Sequence, residues 1–551
     1  MKHRLVRWLP IPVALLAAVA ARLIAHYCLN DAPHVMDEMA YFFQAKTFLT
    51  GHVTAHVQEP RAAFALWFVD DRAAKYGIFP PGWPAVLALG LGAHLREWVN
   101  PLLHGVTTLI VAACGRRLSG RKTGLVAALF YGFSPQALFL AASFMSHTLV
   151  AFGAACALWA GIASNAGRTK RRTMVVGGFG IAIVVLSSPL SGVIVALGFT
   201  ALVAFTFARK RISVRGLAAA AVPVLVGVLA LGSYNRAVTG SAMRFPQSVW
   251  LDEHEAPSDD LFLRYRPGCN ALGFGQGHGC DEEIKNATQE QLPNALSNTG
   301  DNLLSWLFLA GGGPLVFLFA ALAIWKARTR ARRRFLLGVG ATVPAAIVLY
   351  SLYRNADACF GASSYHAALP ALLLLGAVGM RAAGRWKPQA RRWLLLAWVL
   401  LTLPGLVLGI GEISGSYWGN DGRFERVRAG WNHGPSLVMI AFANDGLPMH
   451  PLRVTGFTPK SPHAVWHNGI RALGALVVNS TDPHEDEVVF AKFHPALVSD
   501  LRNNFPNRTL YVYVLHDDPA DDRLEAYRGE GWSDGAAVAP GSNFDGYVVA
   551  R

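Results

Sequence analysis

The chain has 551 residues, of which 53% are hydrophobic and only 15% charged, with a mean hydropathy of +0.31. A soluble chain of this length carries roughly a quarter charged residues, so the composition excludes one large soluble enzyme. The net charge of +15 does not by itself indicate nucleic acid, because a basic balance acts through where its charges lie.

In chain order, twelve apolar runs read as helices, at 9–27, 82–95, 98–114, 124–142, 146–164, 174–188, 190–208, 216–234, 302–325, 335–353, 364–380 and 393–411. Crossing a bilayer takes about 20 apolar residues, so the chain reads as a polytopic α-helical membrane protein. Between Trp98 and Trp250 there is no Asp or Glu. The polar breaks GRRLSGRK (115–122), GRTKRR (167–172), RKRISVR (209–215), KARTRARRR (326–334) and RAAGRWKPQARR (381–392) are purely basic. With MKHRLVR at the start they hold 26 of the 50 Lys and Arg and none of the 35 acids. The positive-inside rule puts all six on the cytoplasmic side. That alternation works only if PPGWPAVLALGLGAHL (80–95) does not cross; it is the shortest run and a double proline opens it. Eleven spans are therefore expected, with the N-terminus inside the cytoplasmic (inner) membrane and the C-terminus outside. An AVA stretch ends near Ala20, but Arg22 follows and the apolar run continues, so an uncleaved anchor is expected.

Three large pieces fall on the outer side of this topology: 28–97, 235–301 and 412–551. They hold every acid except Asp357. The expected division is a transmembrane domain, 1–411, and a small extracytoplasmic α/β domain, 412–551. In the latter, SLVMIAFA (436–443), ALGALVVN (472–479), DEVVFAKF (486–493) and TLYVYVLH (509–516) read as strands and HPALVSDLRNNF (494–505) as a helix. No catalytic motif is found in it, and its plain role is structural or that of a lid that meets an acceptor. Cys269 and Cys280 share one outer loop, as a disulfide or as two thiols; Cys114 and Cys156 fit as small buried hydrophobes. The glycine-rich GFGQGHG (273–279) lacks the Lys-Ser/Thr of a nucleotide loop and reads as a plain loop.

Outside the cytoplasmic membrane activated groups arrive on lipids. A polyprenyl phosphate leaves without a general acid but needs its charge held, and the attacking hydroxyl needs one carboxylate as base. HVMDEMAYFFQAKTFLTGH (34–52) supplies Asp37 and Glu38 where the chain has just left its first span. Lys75, with Arg61 and Arg72 near it, precedes the double-proline helix. The plainer reading of the acidic pair is a solvated helix start, where carboxylates are favoured.

A resemblance shifts that balance. DEMAYFFQAKTFLTGH resembles the first-loop signature of the GT-C membrane glycosyltransferases, in the bacterial branch related to protein O-mannosyltransferases and lipid A aminoarabinose transferase. KYGIFPPGWPAVLALG (75–90), FMSHTL (144–149), YNRAVTGSAMRFP (234–246) and FGASSYHAALP (360–370) resemble further segments of the family in the same order. The resemblance covers about the first 410 residues. It implies a GT-C-like fold of about 11 transmembrane helices with juxtamembrane helices. It also implies transfer of a sugar, with inversion, from a polyprenyl-phosphate donor to an acceptor glycan, lipid or protein. Asp37 then corresponds to the catalytic acid residue, with Glu38 beside it. Tyr41, Lys75, Tyr76, His147, Arg236, Tyr365 and His366 are the expected substrate-binding residues. The chain departs from the family where many relatives carry an Arg-Tyr pair: Tyr365 is kept, His366 follows, and Arg236, Arg244 or Arg354 stands in for the arginine.

His34, His52 and His56 lie near the acidic pair but read as surface histidines, because Thr50 and Gly51 end the helix before His52. No metal ligands are assigned and no cofactor is obligatory, a divalent cation being the one addition left open. Membrane lipid and the lipid-linked donor are the expected partners, and nucleic acid is not. The competing readings are a transporter or lipid flippase and a non-catalytic scaffold. Transporters place ionisable groups near the membrane midplane, whereas here the spans are nearly free of charge.

Overall fold

The computed structural model describes residues 9–165, 170–209, 212–254, 291–351, 360–384, 390–415, 417–442, 471–516 and 519–527. Arg354, Asp357, Cys269, Cys280 and the glycine-rich 273–279 stretch lie outside them. The chain folds as a helical bundle carrying a small C-terminal sheet domain. Helix α1 (Pro10–Tyr27) leads through a loop to α2 (Met36–Leu49) and, after an irregular segment, to α3 (Gly82–Gly92). There follow α4 (Arg96–Ser119), α5 (Arg121–Gly132), α6 (Pro135–Ala142), α7 (His147–Ser164), α8 (Arg171–Ser187), α9 (Pro189–Phe207), α10 (Val214–Thr239) and α11 (Pro246–His254). The second half of the bundle comprises α12 (Gln291–Leu309), α13 (Pro314–Trp325), α14 (Arg330–Val339), α15 (Thr342–Ser351), α16 (Leu369–Ala383) and α17 (Ala390–Ile413).

Seven helices among the described residues are long and apolar enough to cross a membrane, and three bent pairs raise that number to as many as ten. The eleventh expected span falls on α8, which has 17 residues. Proline and glycine mark two of the bends. Pro135 starts α6 because it has no N–H to donate to the preceding turn, Ser134 caps that helix through Ala137, and the axis turns 55° from α5. The 91° break before α13 runs through Gly311, Gly312 and Gly313, all at positive φ, a conformation glycine adopts freely. Helix α3 has 11 residues. At 1.5 Å each it spans about 16 Å, half of a bilayer core of about 30 Å.

Membrane helices approach most closely over small residues. A Cβ on Gly379 of α16 would lie 1.6 Å from the Phe319 carbonyl oxygen of α13, and one on Gly153 of α7 2.6 Å from the Gly180 oxygen of α8. At the basic end, Arg332 donates to the Leu118 carbonyl at 2.8 Å, joining two of the basic breaks. Cys114 and Cys156 are buried free thiols.

Between α2 and α3, strands β1 (Val69–Asp70) and β2 (Tyr76–Gly77) pair antiparallel. After α17 come α18 (Arg423–Ala429), β3 (Ser436–Phe442), the helix α19 at 471–476, β4 (Val488–Lys492), α20 (Val498–Asn504), β5 (Thr509–Leu515) and β6 (Arg523–Ala526). The sheet order is β4-β3-β5-β6, with β3 parallel to both β4 and β5 and β6 antiparallel to β5. β3 alternates faces, as strands must. Leu437, Met439 and Ala441 pack with Val498, Leu501 and Phe505, and also with Ala63 and Phe64 of the first loop. Val438 and Ile440 pack with Phe424, Ala472 and Ala475.

One strand expectation is corrected: residues 471–476 are helical. Ala472, Leu473, Ala475 and Leu476 fall at helical spacing, and Ala and Leu are the strongest helix formers.

Candidate active site

Helix α2 begins where the sequence says it should. Val35 is extended, and Asp37 and Glu38 take the second and third helical positions, where carboxylates face the unpaired N–H groups of the first turn. Glu38 folds back as one half of a capping box. Its Oε2 accepts from the backbone N–H of His34 at 2.6 Å and of Val35 at 3.3 Å. Its Oε1 accepts from the N–H of Phe144 at 2.8 Å. Glu38 is 1% exposed, and burial outweighs these three donors to push its pKa up to about 7.

Phe144 belongs to the short turn 143–146 between α6 and α7, the FMSH segment. Its carbonyl accepts from the Trp83 indole at 2.7 Å, so both peptide groups flanking Phe144 are held. Asn100 donates to the flanking carbonyls of Ser143 and Met145 at 2.7 and 3.0 Å. First loop, double-proline helix and FMSH turn thus meet at one point.

Asp37 differs from its neighbour. It is half-buried, and among the described residues its one hydrogen bond is with its own backbone. Burial pushes its pKa up to about 6. Tyr41 lies four residues on, hence on the same helix face. Its hydroxyl is 3.4 Å from Ser146 Oγ, its ring 4.7 Å from that of Phe79, and burial together with the Asp37 charge raises its pKa. Next to Ser146 stands His147, with Nδ1 buried and unpartnered among the described residues. His366 is 1% exposed with both ring nitrogens unpartnered, and it lies in electrostatic range of His147 and His104. Tyr365 is fully buried with its ring 5.1 Å from that of Trp306.

The remaining expected residues sit apart from this group. Lys75 donates to Gln58 Oε1 and the Phe64 carbonyl, both at 2.9 Å, and its ammonium lies 5.3 Å from the Phe43 ring. Phe43 is six residues beyond Asp37, about a third of a turn away around the helix. Burial brings the Lys75 pKa down to about 8. It lines a cleft against the C-terminal domain, shared with Lys46, Asn479 and Ser480. Tyr76 hydrogen-bonds with Asp70 and Arg72. Arg236 is exposed near the end of α10, and Arg244 is exposed beyond it.

Sequence reasoning missed Gln44 and Tyr234. Gln44 Nε2 donates to the Tyr234 hydroxyl at 2.5 Å and to the Phe79 carbonyl at 3.1 Å. Gln44 lies seven residues past Asp37, on the same face of α2, and Tyr234 opens the YNR segment; that helical period was the available signal. His34 is also corrected: it is fully buried rather than at the surface, its ring nitrogens 2.8 Å from the Tyr417 oxygen and 2.7 Å from the Leu29 oxygen. His52 and His56 are exposed. Among the described residues no group of three or more His, Cys, Asp or Glu is placed to hold a metal ion.

No protein-family model matches the chain, and no curated protein matches it in sequence. The fold is GT-C-like, similar to that of two solved structures. ArnT from Cupriavidus metallidurans bound to undecaprenyl phosphate superposes with a TM-score of 0.51 at 15% identity, over 92% of each chain. The apo state of the same ArnT gives 0.50 at 13% identity, again over 92% of each chain.

Proposed function

We propose that the chain is a membrane glycosyltransferase that moves a sugar, with inversion, from a polyprenyl-phosphate donor to an acceptor at the outer face of the cytoplasmic membrane. Asp37 carries this reading: a half-buried carboxylate with no side-chain hydrogen bond among the described residues, on one helix face with Tyr41. The likeness to an ArnT structure bound to undecaprenyl phosphate supports the donor class.

In the step proposed, Asp37 takes the proton of an acceptor hydroxyl as its oxygen bonds to the anomeric carbon. The carbon–oxygen bond to the phosphate breaks, and the departing phosphate keeps the electron pair. That leaving group needs hydrogen-bond donors rather than a proton. Nδ1 of His147 and the two ring nitrogens of His366, unpartnered among the described residues, supply the donors this reading assigns to it, because a ring nitrogen carrying a proton can only donate. Lys75 is given the cleft beside the C-terminal domain, since two of its three donors are committed to protein oxygens. Glu38 holds the loop in place.

The test is Asp37→Asn in purified protein reconstituted in lipid. General-base catalysis is typically worth about 10²–10⁴-fold, so transfer should fall by at least the lower figure while undecaprenyl phosphate still binds. Turnover within a few fold of wild type would remove Asp37 as the base.

A further inference from the structure

Helix α2, which presents Asp37, is gripped at both ends by the part of the chain that follows the bundle. At its start, the His34 ring meets the Tyr417 oxygen at 2.8 Å, and Asn420 donates to the Pro33 carbonyl. At its far end, the Lys46 ammonium donates to three consecutive carbonyls, Val477 at 2.6 Å, Val478 at 3.2 Å and Asn479 at 2.9 Å. An ammonium has three donors, so Lys46 is fully committed. These oxygens follow the last turn of α19, where helix carbonyls lack partners and the helix dipole is negative. Between the two ends, Leu473, Leu476 and Val477 share one apolar core with Met39, Phe42 and Phe43 of α2.

Lys46 lies nine residues beyond Asp37, about 14 Å along the axis and on the opposite face. It therefore cannot touch a substrate held at Asp37. What it can do is fix where α2 stands along its own axis.

We propose that Lys46 is a positioning residue through which the C-terminal domain sets the placement of Asp37. This rests on the reading of Asp37 as the base. The domain is then part of the catalytic machinery. Misplacing a reacting group by about 1 Å can cost about 10²-fold in rate, so a clamp on the helix axis has a large lever. The charged groups around the ammonium are Arg428, Glu425, Asp486 and Arg96. Arg428 itself bonds Val478 and Asp486, and Arg96 pairs with Glu425 at 2.7 Å. The Arg96–Glu425 pair and the Gln58 bond to the Thr481 carbonyl cross to the domain without Lys46, so removing Lys46 frees the far end of α2 while the domain stays docked.

The experiment compares full-length wild type, Lys46→Met and Lys46→Arg in lipid. Hydrogen exchange of residues 36–49, undecaprenyl phosphate affinity and transfer kinetics are measured together. In Lys46→Met, exchange across α2 should accelerate about tenfold or more. kcat should fall by about tenfold or more, with donor KM and undecaprenyl phosphate affinity within about threefold. Lys46→Arg, whose guanidinium also reaches helix-end carbonyls, should restore both exchange and kcat. Exchange and kcat of Lys46→Met at wild-type values would overturn the proposal, as would a raised KM at unchanged kcat. Should Lys46→Met not fold, Lys46→Gln keeps two donors without charge; intermediate exchange and kcat support the clamp, and wild-type values overturn it. The two readings fail separately. An active Asp37→Asn removes the base but leaves the exchange result standing, whereas a wild-type Lys46→Met removes the clamp alone.

Discussion

Asp37 and Glu38 are adjacent carboxylates that the fold treats in opposite ways. Glu38 has both oxygens filled by backbone N–H groups from two segments, while Asp37 is left with its own backbone. In Glu38→Gln an amide nitrogen must face either the Phe144 N–H or the His34 and Val35 N–H groups, donor against donor. A buried unsatisfied group costs about 1–3 kcal/mol. The melting temperature should therefore drop while kcat stays within about tenfold of wild type, the reverse of the Asp37→Asn pattern. The raised Asp37 pKa has its own signature. A base acts only when ionised, so kcat should fall as pH drops through about 6, by about tenfold per unit below it. A profile flat down to about pH 4 would contradict this, since an ordinary aspartate titrates there. Asp37, Glu38 and Tyr41 could be read from the sequence because they share one short segment. The Gln44–Tyr234 bond spans 190 residues, and the Glu38–Phe144 bond 106; no local pattern encodes such pairings. His34 looked like a surface group in part for the same reason, one of its two ring partners being 383 residues away.

At the scale of elements, the double-proline run proved to be a helix of 11 residues, as its length and opening prolines implied. Residues 471–476 went the other way. A short run of Ala, Leu and Val fits a buried strand and a buried helix equally well on period alone, and packing against β3 decided for the helix. Glycine contacts make a further expectation concrete. At Gly379 a methyl group would sit inside contact distance of the Phe319 carbonyl, which is backbone and cannot swing aside. Gly379→Ala must push α16 and α13 apart. Overpacking of this kind costs about 1–3 kcal/mol, so the variant should unfold at lower temperature. An unchanged melting temperature in detergent would show that the pair separates freely.

For the molecule as a whole, the acid-free basic breaks of the sequence predict a topology of eleven spans with the C-terminal domain outside. A reporter active only outside the cytosol, fused after Arg551, should be active; an expressed but silent fusion would reverse the assignment. Composition made the membrane class legible, and the first-loop and double-proline segments made the GT-C fold legible. The docking of the last domain onto α2 was not legible. It depends on shape and on carbonyl groups that every residue type carries.

The Lys46 grip has a consequence in time as well as in space. Lys46 and its carbonyl partners are separated by 431 to 433 residues. At synthesis rates of about 5–20 residues per second, α2 emerges roughly 20–90 s before the oxygens that cap its lysine exist. The bundle helices are made during that interval, and on the proposed role of Lys46 the carboxylate gains its final placement only at the end of it. On the proposed role of Lys46, a chain released early is expected to be inserted but idle. On that proposal the order of translation makes the last domain the arming step of the site.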